Sequence, residues 1–461
     1  MTKKQVLIGF GVAMGVALFV PLIAGETSGI GPEVRAYPDR LRRAEELGLD
    51  LGHHRRIARE AARPAEKRRE FDRLETFLRT PDLFAMPKPP SPMAPINPAG
   101  VMPTGHPSLR ITPNTKPART DAELRANLRE LAVLSRAAEG GSHYDWAQGF
   151  GLLFPTYAPI KSGARAASHL ALVDGRRGSY AQATEALLNS SEAWRVYGDD
   201  PILIADLVRT ATLSLLFRGA GTLLARPTYP PSEARRLLAM AEGPAFAPRS
   251  SMRDTLVLET STLVTDLDDP KLLDGDDDWS RMNPNEKEFR VGMKMPQVRT
   301  AWKSDALRLM NATVSRLPTD PYDFDRAERE MKAYDVAAAV PRGVKGRASA
   351  VLGGVYSYAV ISQRRREAIR RVLIVAAALR AGESEKRLRT RLGRLAVDPY
   401  DGRPIRIRPA REIPVWLKEA IPGLSLSSLR AVYSIGPNLS DDGGLTTKKN
   451  EEGDIVLVIP R

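Results

Sequence analysis

Apolar residues recur along most of this chain with the spacing of helices, and only near its end with that of strands. Val6 to Ala24 is an uncharged apolar run of 19 residues, close to the ~20 that cross a bilayer as a helix. Further on, Thr120 and Glu123 stand at capping-box spacing. Leu124, Leu128, Leu131 and Leu134 follow at helical intervals. From Ala164 to about Asp266 the pattern predicts helix after helix, broken at "DGRRG", "YGDDP", "ARPTYPP" and "EGPAFAP". In the segment Ile202 to Ala225, interrupted by Asp206, Arg209 and Arg218, the pattern predicts a buried core helix. Its Leu203, Leu207, Ala211 and Leu215 share one face and are expected to be buried. Helices resume from Val298 to Arg380. After Leu395 the period shifts: "AVYSIG" and "DIVLVIP" read as β-strands. A small antiparallel sheet of three or four strands, packed on the preceding helix, is expected.

The segments between these patterns complete the organisation. Residues 26–85 form a charged helical segment, with a break near Pro64. Ten prolines between Met86 and Pro117 exclude regular helix or central strand, because proline fixes φ and lacks a donor. Residues 86–118 therefore read as a linker. Residues 119–380 form the helical domain and 381–461 a C-terminal α+β region. "GSYAQA", with Gly178, Tyr180 and Ala183, has the helix-to-helix turn of a tetratricopeptide repeat. No 34-residue period follows it, so an irregular bundle or solenoid is the expectation. The fold class is mainly α: a transmembrane helix over 1–25, the helical body, and the small sheet.

Charge fixes the orientation of the anchor. Lys3 and Lys4 precede the apolar run, so the positive-inside rule keeps the N-terminus cytoplasmic and sends the remaining chain outside. A cleaved signal peptide has a shorter apolar core, roughly 7–15 residues, and an A-x-A-like exit. Here the exit reads "LIAGETSG". The reading is a single-pass inner-membrane protein whose bulk is periplasmic or extracytoplasmic. The net charge is +14, and arginines crowd Arg364 to Arg411. Outside a membrane such charge points to anionic lipid or wall polymer as partners, alongside envelope proteins, and not to nucleic acid. The alternative is that these arginines solvate helices and pair with glutamates.

Candidate chemistry is sparse. With no cysteine, disulfides, thiolate-bound metals and cysteine nucleophiles are excluded. His53, His54, His106, His143 and His169 show no metal-binding spacing, and no phosphate-binding or nucleophile-elbow motif is present. Seven aspartates lie between Asp266 and Asp278, but Trp279 stands where an EF-hand needs glycine. That segment reads as a solvated acidic loop. A non-catalytic scaffold is the expectation. The alternatives are an envelope hydrolase using two facing carboxylates in a helical pocket, or a lipid- or wall-binding protein.

The order helix, "DPYDGRPIRIR", "VYSIGPNLSDDGG", "GDIVL" resembles the C-terminal half of the major pseudopilin of type II secretion. It covers about Val397 to Pro460. Over most of its length the chain also resembles uncharacterised bacterial membrane-anchored envelope proteins. The resemblance implies a calcium ion enclosed by the loop, with Ser434, Asn438, Asp441, Asp442, Glu452 and Asp454 as candidate ligands. Asn438 stands in place of the usual aspartate, and Gly453 in place of a neighbouring carboxylate. The N-terminus lacks a prepilin-peptidase pattern, so processing as a pilin is not expected. A link to a secretion or pilus-like system is implied by the resemblance alone.

Overall fold

The computed structural model describes residues 30–47, 57, 60–86, 118–142, 144, 154–198, 200, 202–247, 252–268, 294–339, 356–445 and 453–461. The Val6–Ala24 run, the proline-rich segment, most of the acidic loop and Glu452 lie outside the described residues. Among the described residues, no helix is long and apolar enough to cross a membrane.

Helices dominate. A first helix, α1, covers 30–46. It is followed by α2 (Ala65–Leu78), α3 (Asp121–Ala137), α4 (Tyr157–Arg176), α5 (Tyr180–Ser191), the single turn α6 (Trp194–Tyr197) and α7 (Leu203–Leu224). Then come α8 (Pro231–Glu242), α9 (Met252–Asp266), α10 (Pro296–Val314), α11 (Phe324–Ala339), α12 (Tyr356–Arg380), α13 (Glu385–Leu392) and α14 (Val415–Ala420). Local chemistry sets the boundaries. Pro64 precedes α2. Thr120 Oγ1 accepts from the Glu123 N–H at 3.2 Å while the Glu123 carboxylate accepts from the Thr120 N–H at 2.7 Å, which closes the expected capping box on α3. Gly178 takes φ +74° and turns α4 into α5 at the glycine of "GSYAQA".

Two helical cores result. The larger joins α2 to α8 with the second half of α12 and one face of the sheet; Ile160, Leu187, Leu213, Leu237 and Leu373 are fully buried in it. The smaller joins α1, α9, α10 and α11 around Trp302, Met310, Met331 and Tyr334. Helix α12 belongs to both: Tyr356, Ala359 and Val360 pack in the smaller core, and Ala368 through Leu379 in the larger.

The stretch of α12 between them is a buried polar seam. Arg366 pairs with Asp206 at 2.5 Å, and Gln363 also donates to Asp206. Glu367 accepts from Arg371 at 2.7 Å and from Arg370 at 3.3 Å. Arg364 and Arg371 donate to the carbonyls of Tyr400 and Val397, each at 2.8 Å. The arginines at 364, 366, 370 and 371 are buried. They pair within the fold and offer no surface to an anionic partner, which corrects that part of the arginine-rich reading.

Helix α7 needs a second correction. Its Leu203, Leu207, Ala211 and Leu215 are only half-buried, whereas Asp206, Arg209, Leu213, Leu216 and Ala220 are buried. The helix is apolar almost all round, so the leucine spacing does not choose the inner face. Partners for the charges do: Asp206 meets α12, and Arg209 donates to the carbonyls of Ala245 and Ala247 at 2.7 and 2.6 Å.

The sheet has three antiparallel strands, β1 (Arg406–Pro409), β2 (Leu429–Ser434) and β3 (Ile455–Pro460), in the order β1-β2-β3. In register, Arg406 faces Tyr433 and Tyr433 faces Val456. Val432, Leu457 and Ile459 join the larger core, while Ala431, Tyr433, Val456 and Val458 pack with Leu417 of α14. Gly221 lets α7 approach this layer; a Cβ there would sit 2.7 Å from both Leu457 Cδ2 and Trp416 Cη2.

Candidate cation-binding loop of the C-terminal sheet

Two stretches far apart in sequence meet at Asp398, which is fully buried. Its Oδ1 accepts from Ser434 Oγ at 2.8 Å and from the Tyr400 N–H at 2.9 Å. Its Oδ2 accepts from the Ile435 N–H at 3.0 Å and from Arg406 Nη1 at 2.6 Å. Four donors from the turn, from β1 and from the end of β2 thus converge on one carboxylate. Arg406 also pairs with Asp401, and its Nε lies 3.7 Å from Asp441. The "DPYDGR" turn and the "SIG" stretch form one unit.

The loop beyond Ser434 turns sharply. Gly436 has φ +69°, and a Cβ on it would stand 2.1 Å from the Gly453 carbonyl oxygen. Only glycine permits that approach, which brings the loop against the start of β3. Within the loop, Asn438 Nδ2 donates to Asp442 at 2.9 Å, Asn438 Oδ1 accepts from the Ser440 N–H at 3.1 Å, and Ser440 Oγ donates to Asp442 at 3.2 Å.

The candidate ligands separate into two groups. Ser434 and Asp441 are engaged elsewhere. Ser434 is buried and donates to Asp398. Asp441 accepts from the Tyr433 hydroxyl and the Gly443 N–H, each at 3.0 Å, and lies 3.4 Å from Arg408. Burial raises the Asp441 pKa, but those donors and the Arg408 and Arg406 charges outweigh it and hold the carboxyl below the usual range. Asp454, by contrast, is only 5% exposed. Its Oδ2 accepts from the Gly444 N–H at 2.7 Å, but its buried Oδ1 has no hydrogen-bond partner among the described residues. Burial first, then the Asp442 and Asp441 carboxylates, push its pKa up to about 6, against the lowering effect of the Gly444 and Asp442 N–H groups.

A cation fits this donor set in part. A buried carboxylate oxygen without a donor, beside a second carboxylate, is the environment a hard cation would relieve. Among the described residues no three acidic or histidine side chains converge as a metal-binding group. Any remaining oxygens would have to come from backbone carbonyls or from Glu452.

The hub, Asp398, is absent from the sequence-derived candidates. Its signal was the Asp-Pro turn, but the pairing with Ser434 spans 36 residues and has no local periodicity to reveal it. The histidines add nothing to the loop: His169 stands 3.3 Å from Asp121 on α3, and the other four lie outside the described residues. A shallow surface depression between α3 and α5 is lined by one carboxylate, Glu185, which pairs with Arg129 at 3.3 Å. No family model, no curated protein and no solved structure matches this chain.

Proposed function

We propose that this chain is a non-catalytic, membrane-anchored scaffold or interaction protein of a bacterial envelope, associated with a secretion or pilus-like system, whose C-terminal loop is ordered by calcium. One observation carries the reading: the two sequence pieces on which the pseudopilin resemblance rests are locked together through Asp398 and Ser434, and Asp454 beside them keeps a buried oxygen without a donor. Asp454, with Asp442 and Glu452 as further oxygens, would hold the ion. Bound calcium would supply positive charge to offset the repulsion among these carboxylates. The anchor is supported by the uncharged Val6 to Ala24 run behind Lys3 and Lys4.

Two measurements test the proposal. The full chain is melted with millimolar calcium and with a chelator. A calcium-dependent rise in Tm that disappears in Asp454→Ala supports the loop site; an ion bound only by the folded state adds about 2.7 kcal/mol at a hundredfold excess over Kd. Identical curves remove calcium from the proposal. Membrane fractionation with protease added from outside checks the anchor. Recovery of a soluble form beginning near Gly25 would overturn it.

A further inference from the structure

We propose that Arg226, Arg380 and Arg430, with Arg176 at the rim, form a binding site for a phosphate-type anion. The site lies where α4, α7 and α12 end beside β2.

The four arginines come from separate parts of the chain and are carried by elements that pack together: α7 against α4 and α12, and α12 against β2. Arg380 Nη2 donates to the carbonyls of Arg226, Pro227 and Tyr229 at 3.0, 3.3 and 2.8 Å, which sets its guanidinium against the end of α7. Arg226 lies across the end of α4: a Cβ on Gly175 would be 3.3 Å from its Nε. Arg430 projects from β2 on the face shared with Val432. It repels Arg380, as Arg176 repels Arg226.

An arginine at a helix C-terminus ordinarily serves the last carbonyls. Arg380 and Arg176 do this in part, Arg176 through the carbonyls of Glu419 and Ala420. Arg226 and Arg430 do not. Arg226 Nε and Nη2, Arg380 Nε and Arg430 Nε are buried without a hydrogen-bond partner, and among the described residues none of the three arginines is ion-paired. Glu385 acts on Arg430 through space but bonds Arg389. The fold elsewhere is rich in Asp and Glu partners for arginine, and α12 alone buries four arginines with carboxylates or carbonyls. Here three half-buried cations lie without an ion pair; Arg430 repels Arg380, and Glu385 offsets Arg430 only through space. Their pKa values are all lowered, with burial the largest cause. Neighbouring guanidinium groups with unpartnered N–H donors and no ion pair match the oxygens of a phosphoryl group, which they bind through parallel N–H donors.

The ligand chemistry has two sources, a free phosphate compound or a lipid headgroup, and one experiment separates them. The full chain, held in a neutral detergent, is melted at constant ionic strength in chloride alone, with inorganic phosphate, and with phosphatidylglycerol or phosphatidylcholine mixed into the detergent. We expect Tm to rise by about 1.5 °C at tenfold excess over Kd with phosphate, with phosphatidylglycerol, or with both. The responding ligand names the source. Arg226→Gln and Arg430→Gln should each raise the apparent Kd at least tenfold, while melting in chloride at or above the wild-type temperature, because each removes an unpaired cation. Should one variant fail to fold, the other carries the comparison. The proposal is overturned if no ligand moves Tm beyond chloride, or if the folded variants keep the full response.

Discussion

Asp398 Oδ1 accepts from Ser434 Oγ at 2.8 Å inside the protein. That contact joins the turn before β1 to the end of β2. Since Asp398 also takes Arg406 and two backbone N–H groups, its removal would leave Arg406 short of a partner and several donors unpaired. Asp398→Ala is expected to cost about 3–5 kcal/mol, the range for breaking a buried ion pair. Ser434→Ala, which removes one neutral donor, should cost about 1–2 kcal/mol. Chemical denaturation of both variants checks the order; a larger loss in Ser434→Ala would dethrone Asp398 as the hub.

The seam on α12 predicts non-additivity. Asp206→Leu leaves Arg366 buried without its carboxylate and should destabilise by about 3–5 kcal/mol. Adding Arg366→Met removes the stranded charge and should recover most of that loss. Double-mutant denaturation curves measure the coupling. Simple addition of the two single losses would mean that the pair is not a unit.

Asp454 gives a pH dependence whose sign follows from its raised pKa. Folded, it titrates at about 6; unfolded, near 3.9. Between those values the folded chain binds more protons than the unfolded one, so stability falls as pH rises from about 4 to 6. The penalty is absent below that window and complete above it. In chelator, Asp454→Asn should therefore be more stable than wild type at pH 7, by roughly 1–3 kcal/mol, and equal to it near pH 4. Melting temperatures across that range decide it; a variant less stable at pH 7 would show that the carboxylate is satisfied in the folded chain.

Gly221 is the closest approach of α7 to the sheet layer. Gly221→Ala would press a methyl group against Leu457 and Trp416, each 2.7 Å away. Helix propensity favours alanine by about 1 kcal/mol, but overpacking costs about 1–3 kcal/mol, so a net loss is expected. A stabilised variant would mean that Trp416, only half-buried, swings clear.

Local signals in the sequence carried much of this architecture. The Thr120–Glu123 cap, the break at Pro64, the turn at Gly178 and the strands around Val432 and Leu457 all depend on neighbours within a few residues. The inner face of α7 did not, because a helix apolar on nearly every side takes its orientation from where Asp206 and Arg209 find partners. The candidate loop was legible as an acidic turn closed by Asp454. Which of its oxygens lacks a donor was not, since Tyr433, Arg408 and Asp398 engage Asp441 and Ser434 from three different elements and leave Asp454 Oδ1 without one. Charge density along the chain misled in one place: the arginines crowded in α12 are neutralised inside, whereas the unpaired ones stand singly at helix ends and on a strand.

Helix α12, about 37 Å long at 1.5 Å per residue for its 25 residues, is held at one end by the smaller core and at the other by the larger. A helix cannot be half melted without losing the backbone bonds at the junction, and here that junction is the seam of buried charges. Disorder in either core therefore exposes Asp206, Arg366 and Glu367 to partial loss of their partners and draws the other core with it. The two apolar clusters should behave in calorimetry as one cooperative unit with a single heat-absorption peak, and damage to Tyr356 should be felt at Ala377, about six turns away.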